Sequence, residues 1–253
     1  MVCINLPIKE KVDFEREDQV LSPSPPPFAI ITPLLKCTKI KKIRCDTDEY
    51  HFYGVFSPKL IVSEAAKFVS KNSSASRSSL KKIFKKFIAI TSHDSQQDCQ
   101  VSPEAIWFLV RMTRKSGEFI MPRWHRDGRM TGCTEASHVL HCRYATTLVG
   151  PPTLVLQETE VVSQGMRAHA ANRKELSNAL ASEVPLNISQ DQIIRFSWGR
   201  DDSPVHSEPD LFSERVFASC VYGSAEEVRD IISTRRQYGD YQAFFRTCEE
   251  KRT

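Results

Sequence analysis

The chain has 253 residues, 40% of them hydrophobic and 26% charged, with a net charge of +4. This composition is ordinary for a soluble globular protein, and the length is enough to bury a substantial core. The charge is too mild and too dispersed to indicate a dedicated nucleic-acid binder, and no apolar run approaches the roughly 18 residues of a membrane span.

Eight cysteines are scattered without a CxxC pair, and Met1–Pro7 is followed by charge rather than by an apolar signal core. Reduced thiols in an intracellular protein are the expectation, cytoplasmic or nuclear. Residues 1–50 read as an N-terminal extension. Its Ser22-Pro23-Ser24-Pro25-Pro26-Pro27 run favours an extended polyproline segment. Residues 36–44 interleave Lys and Arg with Ile40 and Ile43, the pattern of an edge strand or a solvated face. Residues 51–253 read as a single domain.

Ser57-Pro58 opens a helix by the cap-then-proline pattern, and Leu60, Ile61, Ala65, Phe68 and Val69 give it an apolar stripe to about residue 70. After a Ser-rich break, Leu80, Ile83, Phe84, Phe87 and Ile88 predict a second amphipathic helix, with Lys81, Lys82, Lys85 and Lys86 opposite. The plain reading buries its apolar face and solvates its lysines. Residues 93–101 read as a polar loop. Ser102-Pro103-Glu104 predicts a third helix carrying Ile106, Trp107, Leu109, Val110 and Met112, ended by Gly117.

From residue 118 the pattern becomes β. Strands are predicted over 118–124, 142–149, 153–157, 192–198 and 215–222, with one helix over 173–181 inside a long insert, 158–190. Ser224-Ala225-Glu226-Glu227 is a capping box for a helix bearing Val228, Ile231 and Ile232, and a last helical segment is predicted after Tyr238.

The chemistry-bearing stretch is Pro122-Arg123-Trp124-His125-Arg126-Asp127-Gly128. In extended backbone, residues i and i+2 share a face, so His125 and Asp127 can reach one metal ion, while Trp124 and Arg126 point away. His206, in the Asp202–Pro209 segment, supplies a third ligand. Two imidazoles and one carboxylate form the facial triad that holds ferrous iron with open positions. Three competing readings are weaker. A kinase loop needs Asn five residues after the aspartate, where Gly132 stands. Cys133, His138, His141 and Cys142 have zinc-type donors but no finger spacing. A Cys–His nucleophilic pair has no local signature.

His125/Asp127, the distal His206, Arg215 nine residues beyond it and the Arg143–Leu154 strand pair with its Gly-Pro turn together resemble the Fe(II)/2-oxoglutarate-dependent dioxygenases over about residues 105–223. The resemblance implies an α+β protein with a double-stranded β-helix (jelly-roll) core, β over about 118–223, flanked by N-terminal helices and a C-terminal helical pair. It implies iron on His125, Asp127 and His206 and a 2-oxoglutarate carboxylate on Arg215. Ser219, Tyr144 and Thr146 are further candidates for the co-substrate pocket. The implied activity is oxidation of a substrate not legible in the sequence. The rival reading is a non-catalytic jelly-roll scaffold.

Overall fold

The computed structural model describes residues 25–31, 35, 40, 42–45, 47–117, 120–128, 130, 139–237, 239 and 243–247. The architecture is mixed α/β. Its centre is a seven-stranded sheet in the order β1-β6-β4-β8-β3-β2-β9. In chain order these strands are β1 (Phe28–Ile31), β2 (Thr47–Val55), β3 (Ala105–Thr113), β4 (Cys142–Val149), β6 (Ile193–Ser197), β8 (Arg215–Gly223) and β9 (Phe245–Arg246). Every pairing is antiparallel except that of β9 with β2. A small second sheet pairs β5 (Leu154–Val155) with β7 (His206–Ser207).

Two antiparallel helices, α1 (Pro58–Lys71) and α2 (Arg77–Gln97), cover one face of the large sheet. Alternation on the strands decides what they meet. Phe52 of β2, Ile106, Phe108, Val110 and Met112 of β3, Tyr144 of β4, and Val216, Ala218 and Cys220 of β8 turn toward the helices. There they join Ile61, Ala65 and Val69 of α1 and Leu80, Phe84 and Phe87 of α2 in the main core.

The odd-numbered residues of β3 and β8 turn to the opposite face, as do Arg143, Ala145 and Thr147 of β4, up to the register shift between Thr147 and Val149. That face is shared by α5 (Ala225–Gln237) at one end and the small sheet in the middle. Val155 of β5 packs with Ala145 of β4 and with Ile194 and Phe196 of β6, so the two sheets enclose a second apolar layer. α3 (Glu160–His169) and α4 (Arg173–Ala179) pack outside the small sheet, on Trp124, Leu156 and Val205.

Several sequence expectations are corrected here. The helix predicted from 102 to 117 is the nine-residue strand β3, in the middle of the sheet. Both of its faces are buried, so its apolar residues run continuously and mimic a buried helix. The polar loop predicted at 93–101 is largely the last turns of α2. Thr91 and Ser95 are buried there and satisfied internally, Thr91 by the Phe87 carbonyl (2.9 Å) and Tyr222 (2.8 Å), and Ser95 by the Val101 carbonyl (3.2 Å). Asp94 accepts from Tyr144 (2.7 Å) and lies 3.0 Å from Arg195 of β6, tying α2 to two strands.

The strand predicted at 118–124 is absent among the described residues of that stretch. Of the expected C-terminal helical pair, α5 forms with its capping box: Ser224 N–H donates to Glu227 (2.5 Å) and Glu227 N–H to Ser224 Oγ (3.2 Å). The second member is replaced at 245–246 by β9, while Tyr238 and residues 240–242 lie outside the described residues. Within residues 1–50, Phe28–Ile31 is a sheet strand paired with β6. Lys36 and Lys39 of the basic stretch lie outside the described residues, and its Ile40 and Ile43 are buried in the main core. Among the described residues no helix is long and apolar enough to cross a membrane.

Candidate metal centre

His125 and His206 exchange both backbone hydrogen bonds, His125 N–H to His206 O at 3.0 Å and His206 N–H to His125 O at 2.9 Å. This bridge lays the His125 stretch beside β7, on the side away from β5. The distal histidine is thereby brought back onto the His125/Asp127 face. Leu156 N–H donates to Val205 O (2.9 Å) and Arg123 N–H to Ser207 Oγ (2.9 Å), fixing the same register on either side. Gly199 N–H donates to Asp127 O (2.9 Å), so the loop after β6 holds the aspartate's backbone.

The alternate residues point elsewhere, as the two-residue period requires. Trp124 is buried among Leu156, Val162 and Val205. Arg126 hydrogen-bonds the Ser203 carbonyl and both oxygens of Glu158 (2.8 Å each), clamping the turn that leads into Pro204 and His206.

The donor atoms converge. His125 Nε2 lies 3.8 Å from Asp127 Oδ1 and His206 Nε2 lies 3.7 Å from the same oxygen. All the candidate ligand atoms fall within 4.8 Å of one another. Cis ligands about 2.1 Å from one metal stand roughly 3–3.5 Å apart, so each histidine–aspartate pair stands a few tenths of an ångström outside ligand spacing.

The second nitrogen of each ring sets its tautomer. His125 Nδ1 donates to the Arg123 carbonyl (2.8 Å) and His206 Nδ1 to the Pro204 carbonyl (3.1 Å). A carbonyl only accepts, so both Nδ1 atoms carry the hydrogen, and in the neutral form of each ring Nε2 presents its lone pair to Asp127. Burial is the main cause that pulls His206 down to about 4 despite the opposing pull of Asp127, which keeps this imidazole neutral at physiological pH. Burial pushes the Asp127 carboxyl up, but the opposing positive charge, Arg143 first, outweighs it and holds it below the usual carboxylate value. Two imidazole lone pairs and an anionic oxygen thus face one point with no hydrogen among them. A cation is the complement of that arrangement.

Arg143 of β4 lies on the same face, its Nη1 3.0 Å from the outer oxygen, Asp127 Oδ2. It also stands over the Trp107 ring, 5.1 Å from its centroid. Sequence reasoning placed Tyr144 and Thr146 near the site, but alternation sends them the other way. Tyr144 is buried against α2, hydrogen-bonded to Asp94. The β4 side chains on the His125/Asp127 side are Arg143, Ala145 and Thr147, Arg143 beside Asp127 and Thr147 beside Arg215. Recognising Arg143 needed only the parity of β4, which was fixed by which alternate set is apolar.

Arg215 opens β8 on the metal side and is 4% exposed. Its Nε donates to the Pro151 carbonyl (3.1 Å) and its Nη2 to Thr153 Oγ1 (3.0 Å), with Thr147 Oγ1 at 3.4 Å. Its guanidinium lies 4.6 Å from the Phe217 ring centroid. Burial brings it down to about 10, opposed by the charge of Glu208. Among the described residues no carboxylate forms an ion pair with it. Ser219 shares the face, two residues beyond Phe217, paired in register with Ala145. Between Arg215 and Val221, the β8 partner of Arg143, the metal-side floor thus includes the small pair Ser219 and Ala145.

The zinc-type cluster does not assemble from its described members. Cys142 turns toward α2, 3.7 Å from Cys99 Sγ, whereas His141 faces Glu227 at 3.7 Å and Trp198. Cys133 and His138 lie outside the described residues.

No family model matches the chain, and no curated protein matches it. Among solved structures it is similar to the rice dioxygenase for auxin oxidation, with 9% identity and a TM-score of 0.40, covering 76% of this chain and 58% of that one. It is similar to the Arabidopsis thaliana dioxygenase for auxin oxidation 1, solved as a 2-oxoglutarate binary complex, with 9% identity, a TM-score of 0.39 and coverages of 74% and 67%. A viral collagen prolyl hydroxylase from Paramecium bursaria Chlorella virus-1, in truncated form, gives 12% identity and a TM-score of 0.31, with coverages of 70% and 89%. The chain therefore spans under two thirds of the rice protein, and identities of 9–12% leave the chemistry to its own residues.

Proposed function

We propose that this protein is an Fe(II)- and 2-oxoglutarate-dependent oxygenase built on a jelly-roll core. The observation that carries the reading is the convergence of His125 Nε2, His206 Nε2 and Asp127 Oδ1, with both Nδ1 hydrogens committed to backbone carbonyls. Two neutral nitrogens and one anionic oxygen on one side of an ion suit ferrous iron and leave its other side open. The order β6-β4-β8-β3 facing a smaller sheet that holds β7 and the His125 bridge supports the jelly-roll reading.

Arg215 supports the co-substrate. A buried guanidinium without a counter-ion is costly, and a carboxylate brought by a ligand relieves that cost. Thr147 and Thr153 already touch the guanidinium and offer hydroxyls to the same carboxylate. Ser219 and Ala145 keep the floor low for an elongated dicarboxylate lying toward the metal. When bound, iron and 2-oxoglutarate supply oxidative decarboxylation of the keto acid coupled to oxidation of a substrate. The chain's own contribution is positional: backbone carbonyls orient both imidazoles, Arg143 holds the outer oxygen of Asp127, and Arg126 fixes the turn before His206.

The test is calorimetric titration with a divalent metal (Mn(II) as an air-stable stand-in for ferrous iron) followed by 2-oxoglutarate. Asp127→Ala is expected to abolish metal binding. Arg215→Met is expected to keep the metal and lose the keto acid. Metal binding that survives Asp127→Ala overturns the ligand assignment.

A further inference from the structure

On the surface opposite the metal side, α1 and α2 leave between them a groove of about 560 Å³. Its floor is apolar, formed by Phe56, Val62, Ile88 and Ala89. Its rim is basic: Lys59 comes from α1, and Lys81, Lys82 and Lys85 from α2. No carboxylate lines the groove, and among the described residues none of these four lysines forms an ion pair. The second amphipathic helix of the sequence therefore does more than bury one face. Its apolar stripe feeds the core through Leu80, Phe84 and Phe87, while its flank and that of α1 shape a concave, cation-edged trough.

We infer that this groove docks an acidic amphipathic helix of a partner protein. The length and charge distribution favour that occupant. From Lys81 to Ser92 the α2 wall runs twelve residues, roughly 16 Å over eleven steps of 1.5 Å, which matches about three turns of a docked helix. The two helices run antiparallel, so Lys59, at the start of α1, lies toward the far end of the α2 wall from Lys81. The cations thus line the length of the trough. A lipid anion carries its charge at one end of its chain and leaves most of these lysines unanswered. A helix with Leu at i, i+3, i+4 and i+7 and Glu on its flanks places apolar groups on Val62, Ile88 and Ala89 and carboxylates beside the lysines on both walls.

The experiment uses the full chain and a fluorescein-labelled peptide of about twelve residues with that Leu/Glu pattern, read by fluorescence anisotropy. Wild type is expected to bind it saturably, with affinity falling as salt is raised. The double variant Lys81→Glu/Lys85→Glu and the groove-filling variant Ala89→Trp are each expected to weaken it about ten-fold. Both alter exposed positions, and circular dichroism checks that they remain folded. The inference is overturned if wild type shows no saturable binding, or if a Leu/Lys peptide of the same pattern binds equally well. It is also overturned if phosphatidylserine vesicles are retained while the acidic peptide is not, an outcome that reassigns the groove to a membrane surface.

Discussion

Replacing Arg215 by methionine separates a ligand-binding role from a structural one. The drop to about 10 that burial imposes on this guanidinium corresponds to roughly a few kcal/mol held against the folded state. The folded-state value lies below the unfolded one, so this cost is present at every pH below about 10. Methionine keeps much of the side-chain volume and removes the charge. It also removes the donors to Thr147, Thr153 and the Pro151 carbonyl. The hydroxyls can reorient, and the carbonyl left behind costs about 1–3 kcal/mol. The two effects nearly cancel, so the ligand-free variant is expected to melt within a few degrees of wild type. The difference appears with ligand. At 2-oxoglutarate a hundred times its Kd, wild type gains about 2.7 kcal/mol, which raises Tm by roughly 5–10 °C for a chain of this size. The variant gains nothing. Thermal scans with and without metal and 2-oxoglutarate read both numbers. A variant that loses several kcal/mol without ligand, or that keeps the ligand-induced shift, refutes the assignment.

Three further outcomes follow from the same geometry. Arg143→Met removes the cation beside Asp127 Oδ2 while leaving all three metal ligands, and calorimetry should show metal affinity lowered about 10–100-fold without being abolished. Gly150→Ala should destabilise by more than about 1 kcal/mol in urea unfolding, since Gly150 has φ +85° and an added Cβ would stand 2.2 Å from the Glu214 carbonyl oxygen. Glu49 is held down to about 2, first by the His51 hydrogen bond and also by Arg111. Its contribution is complete above about pH 4.5 and is lost as pH falls toward 2, so Glu49→Gln should flatten the acid limb of stability by about 1–2 kcal/mol, discounted for its partial exposure.

Parts of this structure were legible in the chain because the local chemistry had one solution. Ser57-Pro58 and Ser224-x-x-Glu227 start helices as their cap chemistry requires, and 142–149 alternates clearly enough to be read as β4. The pairing of His125 with Asp127 was read from a two-residue period; Trp124 packs among Leu156, Val162 and Val205, and Arg126 bonds Glu158. What failed depended on distant partners. β3 is apolar on both faces because α1 and α2 cover one and α5 packs on the other, information that Ala105–Thr113 does not contain. The polar end of α2 looked like a loop because Asp94 and Thr91 find their partners in Tyr144, Arg195 and Tyr222, from 50 to 131 residues away. Tyr144 was set on the metal side because the parity of β4 was not tested. Cys142, Tyr144 and Leu148 are the core-facing set, which leaves Arg143 and Thr147 for the site.

The most direct test of the account measures succinate formed from 2-oxoglutarate, in the presence of ferrous iron and oxygen, by wild type and by His206→Ala. This variant truncates the one ligand that must fold back across the chain to complete the centre. The account predicts metal-dependent succinate from wild type, even without an added substrate, and none above background from the variant. Equal succinate from both proteins, or none from a wild type shown to bind metal and 2-oxoglutarate, contradicts it.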